Sequence, residues 1–369
     1  MGSQVVLLRC DEYDVGKVYT KIAEGIELLG GFSRFFKSGE KILLKPNLLA
    51  PDPPETATAT HPAVFEAVGR IILDGGVKAN YGDSPAFADP LKAFKRSGMY
   101  EAAVRLGIRM ADFTGKERVF FEEAKQNRVF EIARGVREVD GIVSLPKLKT
   151  HGLTLLTGAI KNQFGCVPGM AKSAFHGKLD TVDRFSQMLV DLTMLLRPRL
   201  YIMDGIVGME GNGPRRGSPV HMGVLLLSDD PVALDSVAAR VICLGPDLVI
   251  PIVKGTESGL GVSSGYGLIG ERIEDVRRKF RLPRYGGNFN TLPPLARKLF
   301  KSFLIPRPII NRAKCVKCYE CMRICPTDPK SITLRRDRYP AHIYTTCINC
   351  YCCQETCPEG AITLRVKPL

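Results

Sequence analysis

Short apolar runs alternate with longer helical patterns through residues 1–270. The run KILLKPNLL is followed by HPAVFEAVGRIILDGG, and GIVSLPKL is followed by a glycine-containing segment. This alternation is typical of α/β proteins, in which helices cover the faces of a sheet. The pattern predicts a large N-terminal α/β domain with a mixed or largely parallel sheet.

Residues 271–312 follow a different pattern, rich in Pro, Gly and basic residues, and we predict a linker there. Within it, seven apolar residues fall on one helical face: Leu292, Leu295, Ala296, Leu299, Phe300, Phe303 and Leu304. Arg297, Lys298 and Lys301 take the other face. Such a basic amphipathic helix either docks on the neighbouring domain or lies on an anionic membrane surface, so peripheral membrane contact is an open alternative.

Residues 313–369 repeat a cysteine pattern, because CVKCYECMRICP returns as CINCYCCQETCP with the same C-x2-C-x2-C-x3-C-P spacing. Three thiolates on one tight loop bind three irons of a four-iron cluster, and the fourth, before the proline, reaches the other cluster. The pattern predicts two [4Fe–4S] clusters with crossed ligands. Cluster 1 would use Cys315, Cys318, Cys321 and Cys357, and cluster 2 would use Cys347, Cys350, Cys353 and Cys325.

The repeat continues past the cysteines, since KSITL (330–334) matches GAITL (360–364), and each predicts a short strand. Two zinc sites are the alternative, but they typically use separated C-x2-C pairs or mixed Cys/His sets. Roughly residues 311–366 resemble the bacterial-type two-cluster ferredoxins, which implies a small α+β domain and one-electron transfer at low potential. Cys352 departs from the repeat, standing where the first copy has Glu320, and either packs or serves as a substitute ligand.

The net charge of +14 lies mostly in the tail, because residues 271–369 contain 20 Lys and Arg against 8 Asp and Glu. No aromatic platform or recognition motif accompanies this charge, so we expect no nucleic acid partner. The basic tail instead predicts an acidic redox partner protein. No stretch has the length of a membrane-spanning helix, and the N-terminal residues lack a signal-peptide pattern, so we expect a cytoplasmic location.

Polar residues follow the strand-like runs of the first domain, where ligands collect in α/β sheets. Lysines on such Pro- and Gly-punctuated loops, together with amides, would bind a carboxylate or phosphate. The candidates for binding this anionic small molecule are Lys45, Asn47, Lys147, Lys149, Lys161 and Asn162. The candidates for catalytic proton transfer are His61, Asp83 and His151.

A further glycine-rich segment, DGIVGMEGNGPRRGSP, contains Asp204 and Glu210. It matches neither G-x-G-x-x-G nor G-x-x-x-x-G-K-[ST], so we expect no dinucleotide or P-loop ATP site. A two-electron cofactor is therefore not visible in the sequence. An additional flavin is one alternative, and a metal bound by His61, His151 and Asp204 is another, although no spacing motif demands either.

These loops resemble the DUF362 family, whose members are often joined to a two-cluster ferredoxin domain. The matching stretches are KPNLL, ATHP (59–62), PKLKTH, GAIKNQFG and DGIVGMEGNGPRRG. The resemblance implies the pairing of the two domains but no established activity.

The residues favour an iron–sulfur oxidoreductase that relays single electrons to an anionic substrate or cofactor in the N-terminal domain. The first alternative is a non-catalytic ferredoxin-type electron carrier whose large domain docks a partner enzyme. The second is a carrier of clusters or cofactors in maturation.

Overall fold

The structure is a computed structural model that describes residues 2–85, 88–169, 171–179, 181–283 and 306–365. A large N-terminal domain is built on a ten-stranded sheet, and a small C-terminal domain contains short strands and helices. The predicted amphipathic helix of residues 292–304 lies outside the described residues.

The large sheet is mixed and mostly parallel, as the sequence predicts. The strands of this domain are β1 (Gln4–Arg9), β2 (Lys41–Pro46), β3 (Lys78–Tyr81), β4 (Arg109–Met110), β5 (Lys116–Phe120), β6 (Val129–Ala133), β7 (Gly141–Leu145), β8 (Lys147–His151), β9 (Leu155–Leu156), β10 (Leu200–Asn212), β11 (Arg216–Ser228) and β12 (Gly267–Gly270). The order is β12-β1-β11-β10-β7-β2-β3-β4, with β8 paired to β10 and β9 paired to β8. Only β11 and β9 run antiparallel to their described neighbours in this sheet, while β5 and β6 form a separate hairpin.

Helices cover both faces of the sheet. They are α1 (Val15–Leu28), α2 (Phe32–Phe35), α3 (Pro62–Asp74), α4 (Pro90–Arg96), α5 (Met99–Leu106), α6 (Arg134–Arg137), α7 (Gly158–Asn162), α8 (Ala171–Lys178), α9 (Val182–Leu196), α10 (Pro231–Val241), α11 (Ile250–Glu257) and α12 (Ile273–Val276). Short 3-10 helices occur at Pro54–Thr56, Gln163–Cys166 and Pro246–Leu248.

Alternate residues of β1 enter two different cores, because successive side chains of a strand point to opposite faces. Val5 and Leu7 pack in the core that contains buried residues of α9 and α10. Val6 and Leu8 pack in the core that contains buried residues of α1 and α3. The sheet is therefore buried on both faces, and its polar functional groups collect at the strand ends.

The small domain has two two-stranded sheets and two short helices. Its elements are β13 (Arg307–Ile310), α13 (Glu320–Ile324), β14 (Ile332–Leu334), β15 (Pro340–His342), α14 (Cys352–Thr356) and β16 (Ile362–Arg365). Strand β13 pairs with β16, and β14 pairs with β15. β14 and β16 lie in the two repeated segments that predict strands, whereas β13 falls within the predicted linker and extends the small domain towards the N-terminus.

The two cysteine loops follow the same backbone path. Lys317 and Tyr319 have φ of 58° and 60°, and their counterparts Asn349 and Tyr351 have φ of 55° and 62°. Non-glycine residues seldom adopt this left-handed conformation. Its recurrence at matched positions shows that the sequence repeat is also a structural repeat.

Two arginines after β10 hold the small domain against the large one. Arg215 pairs with Asp52 at 2.8 Å and donates to the backbone carbonyl of Glu355 at 3.0 Å. Arg216 donates to the backbone carbonyls of Cys357 and Pro358. These bonds hold the end of α14 against the connection between β10 and β11.

Asp235 on α10 fixes the start of α7, the helix that carries two candidate site residues. Its buried carboxylate accepts hydrogen bonds from the backbone N–H groups of Ala159 and Ile160. Burial raises the pKa of Asp235 to about 7. The helix position therefore depends on one carboxyl group from a distant element.

We expect Asp235→Ala to destabilise the protein by about 2 to 4 kcal/mol, because two buried N–H groups lose their acceptor. The midpoint of thermal unfolding, followed by circular dichroism, should fall. Asp247→Ala is the control, since Asp247 is exposed. Equal midpoints for the two variants would contradict the role of Asp235.

Candidate functional site

The eight cysteines of the repeat line two small cavities in the small domain. One cavity is lined by Cys315, Cys318, Cys321 and Cys357, and the other by Cys325, Cys347, Cys350 and Cys353. The last cysteine of each repeat thus lies with the first three of the other repeat. This is the grouping that crossed ligation of two clusters requires.

The surroundings of these thiols fit a positively charged iron core. Burial raises the pKa of the Cys321 thiol to about 12 and that of Cys353 well above its usual value, so their thiolates need a compensating positive charge. Cys357 Sγ accepts a hydrogen bond from the Ala361 N–H at 3.2 Å, and Cys325 Sγ lies 3.2 Å from Thr327 Oγ1. Donors of this kind help to set the potential of a cluster.

A four-iron cube spreads its ligands farther apart than a single ion does. Among the described residues, no three His, Cys, Asp or Glu side chains are grouped closely enough to hold one metal ion. Neither the zinc alternative nor an additional metal at His61, His151 and Asp204 therefore finds support in this part of the chain.

Cys352 is buried and lies outside both cysteine cavities. Its Sγ lies 3.9 Å from the backbone oxygen of Cys350. This position favours packing over a role as substitute ligand.

In the large domain, β8 brings Lys147, Lys149 and His151 to one side, because residues two apart in a strand share a face. The two lysines are 1% exposed, and His151 is 2% exposed. A solvated strand end is therefore excluded for these lysines. Their burial demands partners for three polar side chains.

Lys147 belongs to a network that includes His61. Its Nζ donates to Asp204 Oδ2 at 2.6 Å and to the Tyr13 hydroxyl at 2.8 Å. The backbone N–H of His61 also donates to Asp204, and the His61 ring stacks on Tyr13 with centroids 3.5 Å apart. His61 Nδ1 accepts from the Ala63 N–H at the start of α3, and burial lowers the pKa of His61 to about 4. His61 is thus a neutral helix cap beside the Lys147–Asp204 pair.

Lys45 forms a second buried network with Asp83 and the two candidate amides. Lys45 Nζ lies 2.9 Å from Asp83 Oδ2, and burial raises the pKa of Asp83. Asn47 Nδ2 donates to Asn162 Oδ1 at 3.2 Å, and Asn162 Nδ2 donates to Ser144 Oγ at 2.9 Å. Within the described residues, Asp83 Oδ1 and Asn47 Oδ1 have no partner. Asp83 therefore pairs with a lysine rather than with either candidate histidine.

Three further lysines lack carboxylate partners at hydrogen-bond distance. Lys149 Nζ donates to the backbone carbonyl of Thr58, and Lys172 Nζ donates to that of Ser84. Burial, followed by the charge of Lys161, lowers the pKa of Lys149 to about 7, and burial lowers that of Lys172 to about 7. Burial also lowers the pKa of Lys161, whose Nζ has no hydrogen-bond partner in the described part of the chain.

We call this region the lysine pocket, defined by Lys45, Lys147, Lys149, Lys161, Lys172 and His151. Its carboxylates are Asp83, Asp204 and Glu355. Five lysines thus face three carboxylates. Since an uncompensated buried ammonium is costly, the pocket favours either proton release or an added anion.

His151 lies where the two domains meet. Its Nδ1 accepts from the backbone N–H groups of Leu153 and Thr154, so the ring proton sits on Nε2. Nε2 lies 3.7 Å from Glu355 Oε1 of the small domain. Burial lowers the pKa of His151 well below its usual value, and the ring is neutral.

Three residues in or beside the lysine pocket were not predicted from the sequence: Tyr13, Lys172 and Glu355. Tyr13 and Lys172 stand in no recognisable motif. Glu355 could have been found from a difference between the two cysteine repeats, because its counterpart in the first repeat is Arg323. This charge reversal sets the two copies apart, since Arg323 is exposed and pairs with Glu320. Of the glycine-rich segment, only Asp204 joins the pocket, whereas Glu210 pairs with Arg281.

A cavity of about 520 Å³ adjoins the lysine pocket at the border of the domains. Its lining includes Ser84, Phe113, Lys116, Gly169, Arg323 and Ile324. Ser84 links the cavity to Lys172, because it lines the cavity and its carbonyl accepts from Lys172 Nζ. The cavity gives room for an organic group beside the cysteine-bearing helix α13.

The crossed wiring predicts different outcomes for Cys325 and Cys357 once cluster 1 is removed. In a chain with Cys315, Cys318 and Cys321 all changed to Ala, about four irons should remain per molecule. Adding Cys325→Ala should remove them, whereas adding Cys357→Ala should not. Iron analysis measures the number of irons per molecule, and low-temperature EPR of the reduced protein shows whether a cluster remains. Loss of the remaining cluster with Cys357→Ala instead would show uncrossed ligation.

Models of known protein families match both domains of the chain. The model of the family described as "Domain of unknown function (DUF362)" matches residues 42–240, and that of the 4Fe-4S dicluster domain matches residues 307–358. A thylakoid-associated protein of Synechocystis sp. is 34% identical over 258 residues, covering 70% of this chain and 79% of that protein. The dicluster domain supports iron–sulfur electron transfer.

Two solved structures are similar to part of the chain. The lactate racemase apoprotein from Thermoanaerobacterium thermosaccharolyticum has 11% identity and a TM-score of 0.40 over 64% of this chain. A structural-genomics protein from Thermotoga maritima has 12% identity and a TM-score of 0.33 over 61% of this chain. The match spans 57% of each of those chains. The family match and the Synechocystis relative confirm the resemblance seen in the sequence: this chain belongs to the DUF362 family and carries a 4Fe-4S dicluster domain.

Proposed function

We propose that the chain is an iron–sulfur oxidoreductase that passes single electrons from the small domain to an anionic substrate or cofactor in the lysine pocket. The observation that supports this most is the unbalanced charge, with five lysines against three carboxylates and an unpartnered Lys161 Nζ among the described residues. A carboxylate or phosphate would supply the missing negative charge.

The two [4Fe–4S] clusters supply one-electron transfer when they are bound. The chain itself brings the pocket close to them. Cys353 and Cys357, which we assign to different clusters, stand two residues on either side of Glu355. The Glu355 side chain reaches from this loop to within 3.7 Å of His151 Nε2.

The lysines divide into two roles in this proposal. Lys45 and Lys147 already pair with Asp83 and Asp204, so they add positive potential and fix the geometry. Lys149 and Lys161 are the lysines that contact the anion directly. Asn47 and Asn162 orient its uncharged part from the side of Lys45.

We propose His151, Asp83 and His61 for proton transfer, and a different observation supports each of them. His151 presents its Nε2–H to the pocket and stabilises negative charge there as a hydrogen-bond donor. Asp83 keeps one buried oxygen without a partner in the described residues, and burial raises its pKa. His61 holds Tyr13 and Asp204 in place, and proton transfer through it would have to use Nε2, since Nδ1 caps α3.

The electron-carrier function is the second candidate, and the charge of the small domain favours it. Lys314, Arg335, Arg336 and Arg338 are exposed. They would attract an acidic redox partner protein by electrostatic steering, and such a partner is compatible with both functions.

An additional flavin would fit the cavity at the domain border, whose volume of about 520 Å³ lies in the range of small-molecule sites. Denaturing the purified protein and recording the absorbance of the protein-free extract tests this. A colourless extract from protein that contains its full complement of iron would exclude a bound flavin.

For the location, we propose the cytoplasm, with peripheral membrane contact as the alternative. Among the described residues, every helix is too short or too polar to span a lipid bilayer. The Synechocystis relative is named as thylakoid-associated. Cell fractionation distinguishes the two locations, and recovery only with membranes would contradict the first.

The function predicts that Lys161→Gln weakens anion binding. Oxalate serves as the probe, because it is a small anion with two carboxylates. Removal of one charge from a partly buried site should lower the affinity about tenfold or more in isothermal titration calorimetry. Lys17→Gln is the control, since Lys17 has the same charge but is exposed. Equal affinities for both variants and the unchanged protein would contradict a pocket built around Lys161.

Anion binding should also depend on pH. The pKa of about 7 for Lys149 means that its ammonium loses its proton as the pH rises through neutrality. An anion prefers the charged form, so oxalate affinity should fall between about pH 6 and pH 8, where oxalate keeps its charge. Lys149→Arg, which stays charged, should remove most of this decline. An affinity that stays constant or rises over this range in the unchanged protein would exclude Lys149 as a ligand.

A further inference from the structure

Glu355 is the only described residue of the small domain whose carboxylate reaches the lysine pocket. It lies on α14 with its side chain 18% exposed, and Oε1 is 3.7 Å from His151 Nε2. Burial raises the pKa of Glu355, and the positive charges of Lys161, Lys149 and Arg215 oppose that rise. The small domain therefore contributes one carboxyl group to a pocket of the large domain.

The Glu355 carboxylate is held loosely. Within the described residues it makes no hydrogen bond, and its contact with His151 is longer than one. Lys161 Nζ likewise has no hydrogen-bond partner there. The Glu355 carboxylate and the Lys161 ammonium attract each other as opposite charges, but no hydrogen bond holds either group within the described residues, so a better ligand can replace this interaction.

The backbone of α14 is held independently of this carboxylate. Arg215 donates to the carbonyl of Glu355, and Arg216 donates to the carbonyls of Cys357 and Pro358. Arg215 is itself fixed by Asp52. The side chain of Glu355 can therefore change rotamer while the helix and the cysteine loop stay docked.

We propose that Glu355 is an internal counter-anion of the lysine pocket, which an incoming anion displaces from Lys149 and Lys161. This inference rests on the proposed function, because it takes the pocket to be the anion site. It identifies Glu355 as a specificity-determining residue: only a ligand that binds the two lysines better than a tethered carboxylate enters. A ligand with two carboxylates, or a phosphate, meets this condition more readily than a single carboxylate.

The sequence repeat supports a special role for this position. The corresponding residue in the first copy is Arg323, which lines the neighbouring cavity and is exposed to solvent. A carboxylate at position 355 is thus not required by the repeat. It occurs in the copy that faces the lysines.

Glu355→Gln removes the competing charge and keeps the shape of the side chain. In the fully cluster-loaded protein, we expect this variant to bind oxalate about tenfold more tightly than the unchanged chain in isothermal titration calorimetry. Glu359→Gln is the matched control, because Glu359 is exposed and, like Glu355, stands two residues from Cys357. It should bind oxalate as the unchanged protein does. Glu355→Asp, which keeps the charge, should also stay close to the unchanged affinity.

The outcomes separate this inference from the proposed function. If Glu355→Gln binds oxalate no more tightly than the unchanged protein while Lys161→Gln weakens binding, Glu355 does not compete and the inference fails alone. If neither the unchanged chain nor Glu355→Gln binds oxalate, the anion pocket itself is refuted. Iron content equal to that of the unchanged protein shows that each variant is folded and loaded. If Glu355→Gln loses its iron, the Glu355→Asp variant is measured instead. Because Asp keeps the negative charge, a much higher oxalate affinity than that of the unchanged protein would refute competition by charge.

Discussion

The burial of more lysines than carboxylates at one edge of the sheet is the constraint on which the site depends. β8 presents Lys147 and Lys149 to the same side, and the ends of β2 and β7 bring in Lys45 and its neighbours. Asp83 and Asp204 neutralise two of these charges at hydrogen-bond distance. The charge of the other lysines is stabilised only in part, by the Glu355 carboxylate of the small domain. The excess of buried positive charge therefore affects both the docking of the small domain and the chemistry of the pocket.

This dependence explains why the contacts between the domains lie where they do. Arg215 and Arg216 bind backbone carbonyls of the second cysteine loop rather than its side chains. They add positive charge beside Cys357, next to the place where two thiolate-bound clusters would bring negative charge.

Much of this arrangement could be predicted from the sequence. The alternation of apolar runs indicated the α/β domain, and the duplicated cysteine spacing indicated the small domain, because both are local patterns. The candidate lysines come together because the carboxyl ends of parallel strands meet at one edge of a sheet. Their partners were not predictable, since Lys45 meets Asp83 and Lys147 meets Asp204 across 38 and 57 residues of chain. Lys172 and Tyr13 belong to no motif, and the significance of Glu355 appears only when the two domains are seen together.

We propose that electrons leave the small domain for an anion held by the lysines. The most direct test reduces the isolated protein with dithionite under anaerobic conditions and follows the visible absorbance of the clusters after mixing with a panel of organic carboxylates and phosphates. We expect at least one of these compounds to reoxidise the unchanged protein faster than the Lys161→Gln variant at equal iron content. If every compound reoxidises both proteins at the same rate, the lysine pocket is not the destination of the electrons, and the electron-carrier function is favoured instead.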